Sequence, residues 1–325
     1  LTHECFCGVL GSRSKSSFID MTYEQISGEV SKRANDYRSR VIADGFGKDA
    51  KFDLIFSKLT ERLTEVFMHT KQSLMVSDFT PHSFELDLRG KHSIDLSFGD
   101  GYTLTFGGVV DRADLCTVGG EKYLRIVDYK SSRKDITAET LASGVNMQML
   151  LYLFACVGRG GAYEGCQPAG VLYSPIKISD IKLEQHRVDS VNSSAVNSSL
   201  KTSGLVLGDR EVISAMEHDM AGVYIPAKLG KDGEIDGKSS CVSRSAMELL
   251  REFTYSKLIE MAERLLCGEI EAKPLKTAKS DPCEYCDYKN ICDSGSIKEL
   301  REPDEESIER AKEILSNKFE KKEDE

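Results

Sequence analysis

Apolar residues early in the chain recur at helical spacing. Phe52, Ile55, Phe56, Leu59, Leu63, Val66 and Phe67 fall three or four apart and share one helix face. Residues 21–42 open with Thr22-x-x-Gln25, a pair able to satisfy each other's free backbone N–H groups, and predict a second helix. The period then changes. Runs rich in β-branched and aromatic residues at 83–88, 103–115 and 123–129 predict strands, and Gly119-Gly120 between the last two predicts a hairpin turn. Residues 136–157 return to helical spacing and 170–175 to a strand. A helix crossing between two strands joins them in parallel, so the expected fold is α/β: a mixed central sheet with helices on both faces, preceded by a helical segment. Residues 191–204 read as a polar loop, 224–243 as a hairpin insertion turning at Lys231-Asp232-Gly233, and 244–266 as a helix. The charged segment 301–325 carries a thin apolar stripe (Ile308, Ala311, Leu315, Phe319) and is either a docking helix or a frayed tail.

The predicted hairpin gathers charge. Side chains alternate across a strand, so Asp128 and Lys130 share a face, Tyr129 points the other way, and Asp111 lies on the neighbouring strand about 4.7–4.9 Å off. Carboxylates that close repel unless one is protonated or a cation sits between them, and hard oxygen donors suit Mg²⁺ or Mn²⁺. An Asp-x-Lys on a strand is by itself a common surface ion pair. What makes it specific is the next helix, which carries Gln148 and Tyr152 four apart and hence on one face. Read blandly, these two are polar residues on the rim of an apolar helix.

The ordered set Gly108-x-x-Asp111, Asp128-Tyr129-Lys130 and Gln148-x-x-x-Tyr152 resembles the RecB-type branch of the PD-(D/E)XK nucleases, with a restriction-endonuclease-like core. The resemblance extends through 78–85, 124–132, 222–226 and 268–274 and points to the nuclease domains of AddB subunits of bacterial helicase–nucleases. It implies a single nuclease domain over 1–325: helices over 1–78, a catalytic core over 79–178, an insertion over 179–243, a helix and cysteine cluster over 244–295, and a charged end over 296–325. It also implies a Mg²⁺-dependent (or Mn²⁺-dependent) DNA exonuclease. Asp111, Asp128, the main-chain carbonyl of Tyr129 and His3 would hold the metal, Lys130 would orient or deprotonate the attacking water, and Gln148 and Tyr152 would face the site. Glu85 stands where the family also has a matching position and is taken as structural. Arg112, Arg133 and Lys134 are candidate DNA contacts, Arg112 reading slightly better as the ion-pair partner of Asp114. The implied setting is recombinational repair of double-strand ends, in which an AddA-like helicase–nuclease partner unwinds DNA and this domain cuts one strand, usually the 5′-ended one. The alternative is a catalytically silent module of the same fold that threads single-stranded DNA and scaffolds a partner subunit, though such a module has no need of Asp111, Asp128 and Lys130.

Ten cysteines are present, and Cys283, Cys286 and Cys292 form C-x2-C-x5-C. Disulfides, zinc and an iron–sulfur cluster compete. Disulfides are disfavoured because no secretory signal is visible, and zinc would need a fourth ligand that the downstream residues do not offer. The segment 282–292 resembles the carboxy-terminal part of the iron–sulfur staple of some RecB-like nucleases, which implies a 4Fe-4S cluster whose first cysteine precedes the histidine. Since Leu1 is not a start methionine and little precedes His3, that ligand is expected upstream of these residues. Cys5 and Cys7 read instead as small apolar residues of the first helix.

A net charge of −10 argues against a broadly basic DNA-gripping surface, so binding to DNA alone should be weak and weaken further with salt. There is no G-x-x-x-x-G-K-S/T loop, hence no assigned ATP site. No apolar run is long enough to span a membrane, and a cytoplasmic location is expected.

Overall fold

A computed structural model describes residues 1–43, 50–131, 133–176, 198–271, 273–275, 283–284, 286–292 and 301–319. Four helices come first: α1 (Thr2–Val9), α2 (Lys15–Ile19), α3 (Tyr23–Ala43) and α4 (Ala50–Met75). The capping pair of α3 forms as expected. The Thr22 N–H donates to Gln25 Oε1 at 2.8 Å, and the Gln25 N–H to Thr22 Oγ1 at 3.3 Å. The apolar stripe of α4 buries Phe56, Leu63, Val66 and Phe67, while Ile55 stays outside.

Eight strands follow: β1 (Thr80–Asp87), β2 (Ile94–Phe98), β3 (Tyr102–Phe106), β4 (Val109–Val118), β5 (Glu121–Lys130), β6 (Gln167–Pro175), β7 (Ser203–Leu207) and β8 (Cys241–Val242). Six of them form one mixed sheet in the order β1-β4-β5-β6-β7-β8, with β5 and β6 parallel. The parallel pair is joined by α5 (Ala138–Ala142) and α6 (Gln148–Val157). Helices flank this sheet, as expected from the sequence.

Two expectations are corrected. The run 103–115 is not one strand, because Gly107-Gly108 breaks it and β3 pairs with β2 in a separate ribbon. The break follows from crowding: the Leu88 N–H donates to Gly108 O at 2.7 Å, and a Cβ on Gly107 would lie 2.8 Å from Leu88 O. Nor is 136–157 one helix. Gly144 (φ 72°) and Asn146 (φ 60°) adopt left-handed backbone that an α-helix does not continue through.

The remaining helices are α7 (Arg210–Met216), α8 (Arg244–Leu266) and α9 (Glu305–Ser316). The bounds of α8 are those the sequence predicts. Helix α9 docks rather than frays, burying Ala311 and Ile314, and the Ser243 N–H donates to Asn317 O at its end. The insertion turns at Gly233 (φ 80°) with a single Leu229–Ile235 bridge. Of the predicted loop 191–204, residues 191–197 lie outside the described residues, while Ser203 and Gly204 belong to β7.

Candidate active site

The site lies where two strands part. β4 and β5 keep register only as far as Arg112 opposite Val127, whereas β4 stays paired with β1 to Val109 and β5 with β6 to Lys130. Asp111 and Asp128 stand at this fork. The Tyr129 N–H released from the ladder donates to Asp111 Oδ2 at 2.9 Å, so a carboxylate replaces the lost backbone acceptor.

His3 reaches the fork from the first turn of α1. Its Nδ1 lies 3.3 Å from Asp111 Oδ1 and 3.1 Å from Glu85 Oε1. Glu85 sits between two residues paired to Arg112 and Val110, which sets it across from Asp111. Its φ of 48° is left-handed, a conformation that a glutamate keeps only when its surroundings hold it. Asp111 is buried, whereas His3 and Glu85 are half-exposed, so the cluster opens to solvent on one side.

Asp128 keeps different company. Lys130 Nζ is 2.9 Å from its Oδ1 and 2.8 Å from its Oδ2, yet Oδ2 is buried without an aligned donor. Burial pushes the Asp128 carboxyl above its ordinary range, Lys130 opposes this, and the charge of Asp111 adds to it. The His3 imidazole is raised from 6.5 to about 9, chiefly by its hydrogen bond to Asp111 and then by Glu85, against the opposing effect of burial. A raised histidine stabilises the metal-free fold in full below its unfolded pKa and loses that contribution as pH rises through the folded one. Hence the melting-temperature gap between chelator-treated wild type and His3→Gln should shrink between about pH 6.5 and about pH 9, as thermal melts across that range would show. A gap that widens with pH would contradict the protonated imidazole.

Gln148 Nε2 donates to the Tyr152 hydroxyl at 3.1 Å. A Cβ at position 108 would overlap that hydroxyl, which explains why the motif carries Gly108 there. Tyr152 is thereby brought three residues from Asp111 along β4.

Arg112 is a correction. It is 6% exposed on the opposite face of β4 from Asp111, donating to Asp114 Oδ2 at 3.1 Å and to the Tyr129 hydroxyl at 2.9 Å. Asp114 also accepts from Arg125 Nε at 3.0 Å. A guanidinium committed to these buried partners is not available to a phosphate. Arg133 is exposed and paired with Asp135, and Lys134 is half-buried; among the described residues neither touches the acidic cluster.

The cysteines divide. Cys5 is buried and its thiol is pushed up to about 11 by burial, in keeping with an apolar role, whereas Cys7 is exposed, contrary to expectation. Cys283 is half-buried and Cys286 and Cys292 are exposed, all three within a run of turns.

The donors at the fork fit a divalent ion. One atom from each of His3, Glu85 and Asp111 lies within 4.8 Å of the others. The separations of 3.1 and 3.3 Å approach the ~3 Å edge of an octahedron whose bonds are about 2.1 Å. Carboxylates with an imidazole suit Mn²⁺ as well as Mg²⁺.

Residues 19–293 match the PD-(D/E)XK nuclease superfamily. Among curated relatives, the AddB subunit of the ATP-dependent helicase/deoxyribonuclease of Clostridium acetobutylicum is 30% identical over 270 residues, covering 78% of this chain and 23% of that protein. The same subunits from Clostridium novyi (32% over 249 residues, 73% of this chain and 22% of the relative) and from a Thermoanaerobacter species (28% over 248, 74% and 22%) are also similar. The chain spans about a quarter of the length of these relatives. With a match that runs through every strand of the sheet and an acidic fork at its centre, the chain belongs to the PD-(D/E)XK nuclease superfamily.

Proposed function

We propose that this chain is a metal-dependent DNA nuclease domain that hydrolyses one strand, the 5′-ended one, while an AddA-like helicase–nuclease subunit unwinds a double-strand end for repair. The observation that carries the reading is the fork: His3, Glu85 and Asp111 within ligand distance of one another, beside a buried Asp128 paired with Lys130. The deoxyribonuclease subunits to which the chain is similar support DNA as substrate and a motor as partner.

His3, Glu85 and Asp111 would hold a Mg²⁺ or Mn²⁺ ion, with Asp128 and the Tyr129 carbonyl as further candidate ligands. When bound, the ion lowers the pKa of water and offsets charge on the reacting phosphate. Asp128 holds the Lys130 ammonium at the fork. Being a third exposed, Lys130 is placed to orient a water and to meet negative charge as it develops on phosphate oxygens. Gln148 and Tyr152, locked to each other, border the site and would position the DNA strand. Asp111 carries two duties, holding His3 through one oxygen and the Tyr129 backbone through the other. Cys283, Cys286 and Cys292 are proposed as three ligands of a 4Fe-4S cluster; their turn-rich segment leaves the thiols accessible enough for ligation.

The test uses the complete protein, prepared anaerobically with its motor subunit, and 5′- and 3′-labelled linear DNA with Mg²⁺. Wild type should shorten the 5′-ended strand, Asp128→Ala should not, and a brown colour with visible absorbance should accompany the intact cysteines. Equal digestion by both proteins would remove the catalytic assignment in favour of a silent scaffold. A colourless, zinc-containing protein would remove the cluster.

A further inference from the structure

The ring of Tyr129 does work that the reaction chemistry does not require of it. Its side chain points away from Asp128 and Lys130, stacks on Phe6 of α1 (centroids 3.8 Å apart, planes 18°), and Phe6 in turn stacks on Phe67 of α4 (4.3 Å, 26°). All three rings are buried. Phe6 is three residues after His3 on the same helix, so the face that enters the stack is the face that carries His3 to the fork. The His3 ring itself meets Tyr129 edge-on at 6.2 Å. At its far end the Tyr129 hydroxyl accepts from Arg112, whose guanidinium is fixed by Asp114, which Arg125 also engages. At its near end the Tyr129 N–H fixes Asp111.

We infer that Tyr129 is a positioning residue: its side chain, clamped between Phe6 and Arg112, sets the separation of His3 from Asp111 and so the affinity of the fork for a divalent ion. The inference rests on the metal-dependent reading above. Two ligands come from chain segments over a hundred residues apart, and an α1 of only 8 residues cannot hold its own place. The backbone of Tyr129 fixes one ligand and its ring, through Phe6, fixes the helix bearing the other. Removing the hydroxyl frees the ring from Arg112, and removing the Phe6 ring frees α1 from Tyr129. Either change loosens His3 relative to Asp111 without deleting a ligand.

The experiment measures Mn²⁺ affinity in the complete protein by the fall of the free-ion EPR signal, with no substrate present. Asp111→Asn serves as the blank for ions bound elsewhere. Groups that orient a metal ligand typically change affinity about 10–100-fold when removed. Tyr129→Phe, which keeps the ring and removes one atom, should raise the dissociation constant about tenfold, and Phe6→Leu by at least as much. Phe253→Leu, a buried change in α8 outside the site, should lower the melting temperature comparably and leave Mn²⁺ affinity within about twofold of wild type. Unchanged affinity in both Tyr129→Phe and Phe6→Leu overturns the positioning role. An equal loss in Phe253→Leu overturns it as well, by making the effect one of general stability. Absence of Mn²⁺ binding above the blank in wild type would instead overturn the metal-dependent reading itself.

Discussion

Asp111→Asn is expected to lower kcat/KM for DNA hydrolysis by about three orders of magnitude or more. Asparagine keeps the shape of the side chain and can still accept the Tyr129 N–H, so the fork should survive. What disappears is the charge. Asp111 is the buried member of the donor cluster, and its hydrogen bond to His3 is the main cause of that imidazole's raised pKa. Without it the cluster retains one half-exposed carboxylate and one imidazole, too little negative charge to hold a hard divalent ion tightly. Initial rates on end-labelled single strands across a Mn²⁺ series would measure the effect. A rate within tenfold of wild type at every metal concentration would rule out Asp111 as the central ligand.

Lys130→Met should lower kcat by about 10²–10⁴-fold while Mn²⁺ affinity holds or improves. The two effects separate because Lys130 contributes a proton-bearing cation rather than a ligand, and its removal takes a positive charge away from the fork. Asp128, already pushed up by burial, then loses the group that holds its carboxyl down and should rise further. The lower limb of the pH–rate profile should therefore move to higher pH. Lys130→Arg restores the charge on a longer, planar group and should recover only part of the rate. Single-turnover rates with metal titrations check both parts. A variant that loses metal affinity and keeps kcat at saturating metal would reverse the assignment.

Much of this site is legible in the sequence because its residues sit close together on regular structure. The period-2 pattern through Asp128 and Lys130, the Gly119-Gly120 turn and the Gln148–Tyr152 spacing all express local rules, and the fold keeps them. Glu85 reads as structural in the sequence. Its place at the fork depends on a left-handed backbone beside an irregular register and on a partner 82 residues away, neither of which leaves a periodic trace. The parting of β4 and β5 is hidden for the same reason, since the sequence on both strands stays β-like through the point where pairing stops. Arg112 is legible in principle: alternation places it behind Asp111, and the preference for Asp114 as its partner is what the structure shows. The breaks at Gly107-Gly108 and at Gly144-Val145-Asn146 carry turn residues that a longer strand and a longer helix have to ignore.

The alternation that sorts Asp111 from Arg112 also polarises the sheet across its thickness. On one side, carboxylates crowd together; on the other, two guanidiniums share one carboxylate and leave a surplus of positive charge sealed from water. Charge sealed in this way is weakly screened by salt, unlike the exposed ion pairs around it. The rear arginines therefore act as a built-in counter-ion for the acidic front, easing the mutual repulsion of its carboxylates before any ion arrives. This background field should persist at salt concentrations that abolish contacts with DNA.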